Sequence, residues 1–237
     1  HKVHHTEDKV PSEASVRDAI KIGKKTSMWM AIDSVKTGDN DIIVSSGNTG
    51  ALLVMSKLIL KMMSGVDKPA LAAVWPNHKD YSLVLDLGAN VECTDQNLYE
   101  FSILGSELYK AIYNKNEVVT ALLNIGSEEI KGHDFIKDAH TKLLESKKLN
   151  FSYRGYIEGN EIKNGDVHVI VTDGFTGNVA LKTAEGTANF ITTEIKQSFS
   201  NSVFSKIGYL FSYSAFKQVK KKLDPREYNG AIFLGLN

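Results

Sequence analysis

"VHVIVTDGFTGNVALKTAEGTANFITTEI", residues 167–195, decides the fold. A continuous apolar run, Val167 to Val171, meets Asp173-Gly174, and apolar residues then recur at helical spacing from about Val179. A strand buried on both faces reads as an unbroken run, whereas a half-solvated strand alternates. The stretch therefore predicts a buried strand, a glycine loop and a helix.

The same order recurs three times upstream. In "DIIVSSGNTGALLVMSKLILKMM", Ile42 to Val44 predict a strand and Ala51 to Met63 a helix. In "YSLVLDLGANVECTDQNLYEF", Leu83 to Leu85 lead into Asp86, Gly88 and Asn90. In "VVTALLNIGSEEIKGHDFIKDAHTKLL", Asn124 and Gly126 close a strand and a helix starts near His133. "NFSYRGYIEGNEI" adds a further strand with an acidic turn at Glu158-Gly159. Strands alternating with helices predict an α/β sandwich of three layers around a mostly parallel sheet. Loops leaving the carboxyl ends of such strands line a common crevice, so these loops are the candidate site.

With 237 residues and 42% hydrophobic content, the chain can bury a substantial core. Lys plus Arg and Asp plus Glu both number 28, so no overall field draws nucleic acid to it. The single cysteine, Cys93, excludes an internal disulfide and a zinc site of paired cysteines, and suits a reducing cytoplasm. It lies just past a strand, where a small buried thiol is expected. No run of about 18 apolar residues and no export signal is present in the sequence given. His1, His4 and His5 are expected to be solvated rather than metal ligands, and His168, within a strand, is expected to be structural.

A glycine-rich loop opening a helix offers unpaired backbone N–H groups and the positive end of the helix dipole, a combination suited to an anion such as phosphate. Gly47 and Gly50 bracket one such place, and Gly174, Gly177 and Asn178 repeat the arrangement. Glycine also serves any tight turn, so a single loop carries little weight. Neither a Gly-Lys-Ser/Thr phosphate loop nor a Gly-x-Gly-x-x-Gly fingerprint occurs, and no spacing fits a nucleophile elbow or a metal motif. Plain phosphate is the anion left.

"SVFSKIGYLFSYSAFKQVKKKLD", residues 202–224, has another character. Phe204, Ile207, Leu210 or Phe211, Ala215 and Val219 form an apolar stripe, and Lys206, Lys217, Lys220, Lys221 and Lys222 supply positive charge. Gly208, Ser212 and Ser214 weaken its middle, which predicts a hairpin, placed at about 198–223. Aromatics at its tip and lysines at its base suit an anionic bilayer or an acidic carrier protein. Packing against the body or a twin subunit is the alternative use of the stripe.

"SSGNTGAL", "LDLGANVEC", "LLNIG", "KG", "NFSYRGYIEG", "DGFTGNVALKTAEG" and "YNGAIFLGLN" occur in this order. In these motifs, and over nearly its whole length, the chain resembles the bacterial phosphate acyltransferase family of phospholipid synthesis. The resemblance implies transfer of a long-chain acyl group from acyl carrier protein to inorganic phosphate. It further implies a phosphotransacetylase- or isopropylmalate-dehydrogenase-like fold, no cofactor, no metal and a homodimer. It also implies a cytoplasmic enzyme attached peripherally to the inner face of the membrane through the basic segment. The family pattern includes an Asp-x-Met-Gly-Gly-Asp loop and a terminal His-Gly segment that this chain lacks, so residues 1–237 are expected to form one acyltransferase domain without those ends.

From the chemistry of the glycine loops, Asn48, Thr49 and Gly50 are expected to bind phosphate, and Gly174, Gly177 and Asn178 to complete the cradle. Lys182, at i+4 from Asn178 on one helix face, is the cation, and Asp173 accepts or orients a phosphate proton. Asp86, Asn90 and Asn124 shape the remainder. Two plainer roles stand beside these: Asp173 caps its helix, and Lys182 pairs with Glu185. A phosphotransacetylase-like enzyme using acyl coenzyme A and a non-catalytic membrane docking protein are the competing functions, while an isocitrate-dehydrogenase-like reading has fold analogy alone.

Overall fold

The computed structural model describes residues 3–223 and 230–237. His1 and the side chains of Lys220 and Lys222 lie outside the described residues. The chain divides into two compact units, His1–Pro69 with Phe233–Asn237, and Ala70–Ile232.

Three helices form the first unit: α1 (Val16–Ile22), α2 (Ser27–Lys36) and α3 (Thr49–Ile59). Each starts on a polar cap, with Ser15, Thr26 and Asn48 accepting from the amides of Asp18, Trp29 and Ala51. Their apolar faces meet in a small core of Ala19, Met28, Ile32, Ala51, Met55 and Ile59. The strand expected at Ile42–Val44 is absent: the run is irregular, and Ile42 and Val44 are 74% and 92% exposed. A β-branched run becomes a strand only where another strand offers a ladder, and here only Ile43 packs on the core. Helix α3 also stops at Ile59 rather than Met63, because Met62 pairs antiparallel with Leu236 and the Met63 amide donates to the Gly235 carbonyl.

The sheet runs β4-β3-β5-β2-β1-β6, where β1 is Ala70–Pro76, β2 Tyr81–Leu85, β3 Val119–Leu123, β4 Ser152–Ile157, β5 Val169–Val171 and β6 Ala231–Leu234. Pairings β2–β5, β5–β3 and β3–β4 are parallel, and β1 runs antiparallel to β2. The three central strands are almost wholly buried, as their unbroken apolar runs require. Strand β1 escaped the sequence reading because three of its seven residues are alanine, a weak strand former; the β2 ladder, with Ala73 opposite Val84, draws it in.

Helices α4 (Asp95–Tyr113) and α5 (Asp134–Glu145) are the crossovers, and α6 (Gly174–Ser200) follows β5. On one face Gly105 of α4 sits so close to Val169 and Leu85 that a Cβ would fall 2.7 and 2.8 Å from them. On the other, Leu181 of α6 joins Val84, Ala121, Ile157 and Ile170. Sheet and helices thus form the α/β layering expected.

Helix α7 (Val203–Leu223) is continuous, so the predicted break at Gly208 and Ser212 does not form. The turn of the hairpin falls at Asn201–Ser202, between α6 and α7. Aromatic packing offsets the roughly 1 kcal/mol cost of a mid-helix glycine: Phe199 of α6 lies 5.6 Å from Tyr209 and 4.8 Å from Phe216, ring to ring. The packed face is therefore Tyr209 and Phe216, while Phe204, Ile207, Leu210 and Phe211 remain exposed.

Candidate functional site

Within the second unit the site is built around Asp86, which directly follows β2 and is fully buried. Its Oδ1 accepts from the amides of Leu71, Gly88 and Ala89 at 3.1, 3.1 and 2.9 Å. Its Oδ2 accepts from the Asn90 amide and from Asn90 Nδ2, both at 2.8 Å. Burying a carboxylate requires such saturation. Asp86 and Asn90 thus fold the loop back on itself, and the charge of Asp86 is spent on backbone amides.

That loop lies directly on the first turn of α6. A Cβ on Gly174 would meet the Asn90 carbonyl and, at 2.7 Å, Asp86 Oδ2, and one on Gly177 would meet the Asp86 carbonyl. Only glycine permits this approach. Gly88, at φ +127°, lies against Asn178, whose Cβ is 3.4 Å from where its own would stand. Between the two loops, Thr172 donates its amide to Leu85 O and accepts from the Asp86 amide. No sequence pattern marks Thr172, whose buried hydroxyl has no hydrogen-bond partner among the described residues.

Asp173 is the N-cap of α6, its Oδ1 accepting from the Thr176 amide at 2.9 Å. The helix begins at Gly174, five residues before the expected Val179, because cap and glycines already belong to it. Lys182 is mostly exposed and pairs with Glu185 at 2.9 Å. The plainer roles of Asp173 and Lys182 are thus both present in the resting chain. On the neighbouring strand, Asn124 braces the next loop, its Nδ2 donating to Lys131 O and its Oδ1 accepting from the Ile125 amide. Its side chain fills the place that a Cβ on Gly132, at φ +93°, would take.

Asp86, Asn90, Asp173, Gly174, Gly177 and Asn178 therefore come together, with Asn124 at the end of the adjoining strand. Asn48, Thr49 and Gly50 belong to the first unit. There Asn48 Oδ1 caps α3 at Ala51, and Nδ2 donates to the carbonyls of Ser12 and Ala14 at 2.9 and 3.2 Å. Thr49 is exposed and Gly50 half-buried. Among the described residues no group of three or more metal-ligating side chains is gathered, Cys93 is half-buried, and no helix is long and apolar enough to cross a membrane.

The first amides of α6, Gly174 and Phe175, have no intrahelical acceptor. A family described as "Fatty acid synthesis protein" matches the chain over residues 1–237. The chain belongs to this family. It is 57% identical over 233 residues to a phosphate acyltransferase of Pelagibacter ubique, covering 98% of this chain and 70% of that protein. To a phosphate acyltransferase of Paramagnetospirillum magneticum it is 48% identical, covering 99% and 67%. It spans about two thirds of the length of these relatives. Among solved structures it resembles the EutD phosphotransacetylase of Staphylococcus aureus, with a TM-score of 0.55 at 18% identity, over 76% of this chain and 66% of that one. A phosphotransacetylase of Streptococcus pyogenes gives 0.55 at 16%, over 95% and 63%. These two likenesses establish the fold.

Proposed function

We propose that the chain is a phosphate acyltransferase that moves a long-chain acyl group from acyl carrier protein to inorganic phosphate, supplying acyl phosphate for phospholipid synthesis. The observation that carries this reading is the identity of 57% over 233 residues to a phosphate acyltransferase. A thioester is already activated, since its thiol leaving group has a pKa near ~8.5, so no covalent intermediate is needed. A phosphate oxygen attacks the carbonyl carbon, the C–S bond breaks, and the thiolate departs and takes up a proton. The protein holds phosphate beside the carbonyl and places donors where the oxyanion develops.

In this reading the Gly174 and Phe175 amides and Asn178 hold phosphate. Lys182 turns from Glu185 to the anion; an exposed ion pair of about 0–1 kcal/mol releases it readily. Asp173 orients the phosphate proton while capping α6. The test is acyl phosphate formation from palmitoyl acyl carrier protein and labelled phosphate, with Asp173→Asn expected to lower kcat at least about tenfold while its amide oxygen preserves the cap. Full activity of that variant would remove the assigned role of Asp173. Acyl coenzyme A is the alternative donor, and comparing the two thioesters at matched chain length decides between them.

The reading extends to a cytoplasmic homodimer peripherally bound to an anionic membrane. Phe204, Leu210 and Phe211 stand exposed on α7 beside exposed Lys206, Lys217 and Lys221. Apolar residues flanked by lysines are the composition of an interfacial helix. Leu210→Glu with Phe211→Glu should abolish sedimentation with anionic vesicles and leave the melting temperature unchanged; undiminished vesicle binding removes this part.

A further inference from the structure

His168 lies immediately before β5 and does more than continue the chain. Its amide donates to Val119 O at 2.8 Å, and its carbonyl accepts from the Leu83 amide at 2.8 Å. The side chain adds a third link, because imidazole Nδ1 receives the Val119 amide at 2.9 Å. A backbone amide only donates, so Nδ1 must present its lone pair, and the neutral ring carries its proton on Nε2. The Val119 amide at the start of β3 is thus fastened by a side chain whose acceptor disappears on protonation. An imidazolium bears N–H at both nitrogens, and its Nδ1–H would oppose the Val119 N–H.

Protons reach this ring. His168 is half-buried and borders a cleft of about 730 Å3 lined by Lys115, Asn116, Glu117, Val119 and Ser152, at the amino ends of β3 and β4. From α4, Tyr109 stacks on it at 5.0 Å, and Tyr113 and Tyr81 continue the aromatic row behind. Asp80 acts on the Tyr109 hydroxyl, Lys79 pairs with Asp166, and Glu117 is the carboxylate of the cleft.

We propose that His168 is an acid-sensitive fastener of the sheet: protonation of its imidazole releases the Val119 amide and loosens β3 from β5 at their amino ends. The same two strands carry Asn124 and Asp173 at their other ends, so the fastener sits in the frame that holds the candidate site. The proposal is independent of the reaction catalysed.

The surroundings agree in sign. Burial first, then the charges of Lys115 and Lys79, push the His168 pKa below its ordinary 6.5. A histidine with a lowered folded pKa binds its proton more readily when unfolded, so its contribution is complete above about pH 7 and is lost as pH falls through 6.5 toward the folded value. Below the folded value the loss levels off.

The test is hydrogen exchange of the Val119 amide in the full chain, as a protection factor between pH 7.5 and 5.5. Protection should fall by up to about tenfold per pH unit within that window, the dependence of one proton. His168→Asn keeps an acceptor near the Nδ1 position without titrating, and should flatten the dependence. His140→Asn should leave it unchanged, although burial also lowers the His140 pKa. In the wild-type chain the 15N shifts of the His168 ring should show Nδ1 unprotonated at pH 7.5, which needs no variant. A protonated Nδ1 at that pH, a pH-independent Val119 protection, or an unaltered dependence in His168→Asn would each overturn the proposal.

Discussion

Two helix starts in this chain read almost alike, Gly47-Asn48-Thr49-Gly50 and Asp173-Gly174 with Gly177-Asn178, yet they are held in opposite ways. At α6 the residues before the loop are paired into a parallel ladder, and the Asp86 loop presses on the glycines until no Cβ fits. At α3 the preceding run pairs with nothing described, and the loop is held by the Asn48 side chain, which spans the cap and the carbonyls of Ser12 and Ala14. One start is fixed by backbone packing and the other by an amide side chain. A glycine motif therefore says that a helix begins, not what secures its beginning.

The largest expected effect separates the two directly. Gly177→Ala drives a methyl into the Asp86 carbonyl, and the backbone there is pinned by four amide bonds to the Asp86 carboxylate and a fifth from the Asn90 side chain, so a loss above about 3 kcal/mol is expected by denaturant unfolding. A loss under 1 kcal/mol would show that the Asp86 loop yields, and the contrast would fail.

Asn48→Ala comes next. It removes the cap of α3 and leaves two carbonyls without their donor, for an expected cost of about 1–2 kcal/mol. Asn48→Asp keeps the capping oxygen and should recover part of that, which chemical denaturation of both variants would measure. Smallest is Gly50→Ala, where the nearest atom to a new Cβ, Val16 Cγ2, stands at an ordinary 3.4 Å. A change within about 0.5 kcal/mol, or a slight gain, is expected in the same measurement. A loss rivalling Gly177→Ala would erase the distinction between the two starts.

Legibility followed how local the signal was. The buried strands β2, β3 and β5 were legible because two-sided burial demands an unbroken apolar run. Asp86 was visible as a loop residue, but its five donors come from a fold-back and from Leu71 of β1, a strand with no strong pattern of its own. On α7 the strongest apolar stripe pointed to Phe204, Leu210 and Phe211, yet the face that packs is Tyr209 with Phe216, since Phe199 of α6 selects it.

By itself the sequence determined the alternation of strands and helices and the family, because period and ordered motifs are written within a few consecutive residues. Tertiary structure alone decided that Ile42–Val44 stays out of the sheet, that β1 enters it, and that Gly174 and Gly177 lie under another loop's backbone. Those outcomes depend on partners distant along the chain. A ladder bond or a forbidden Cβ exists only once the second segment has arrived.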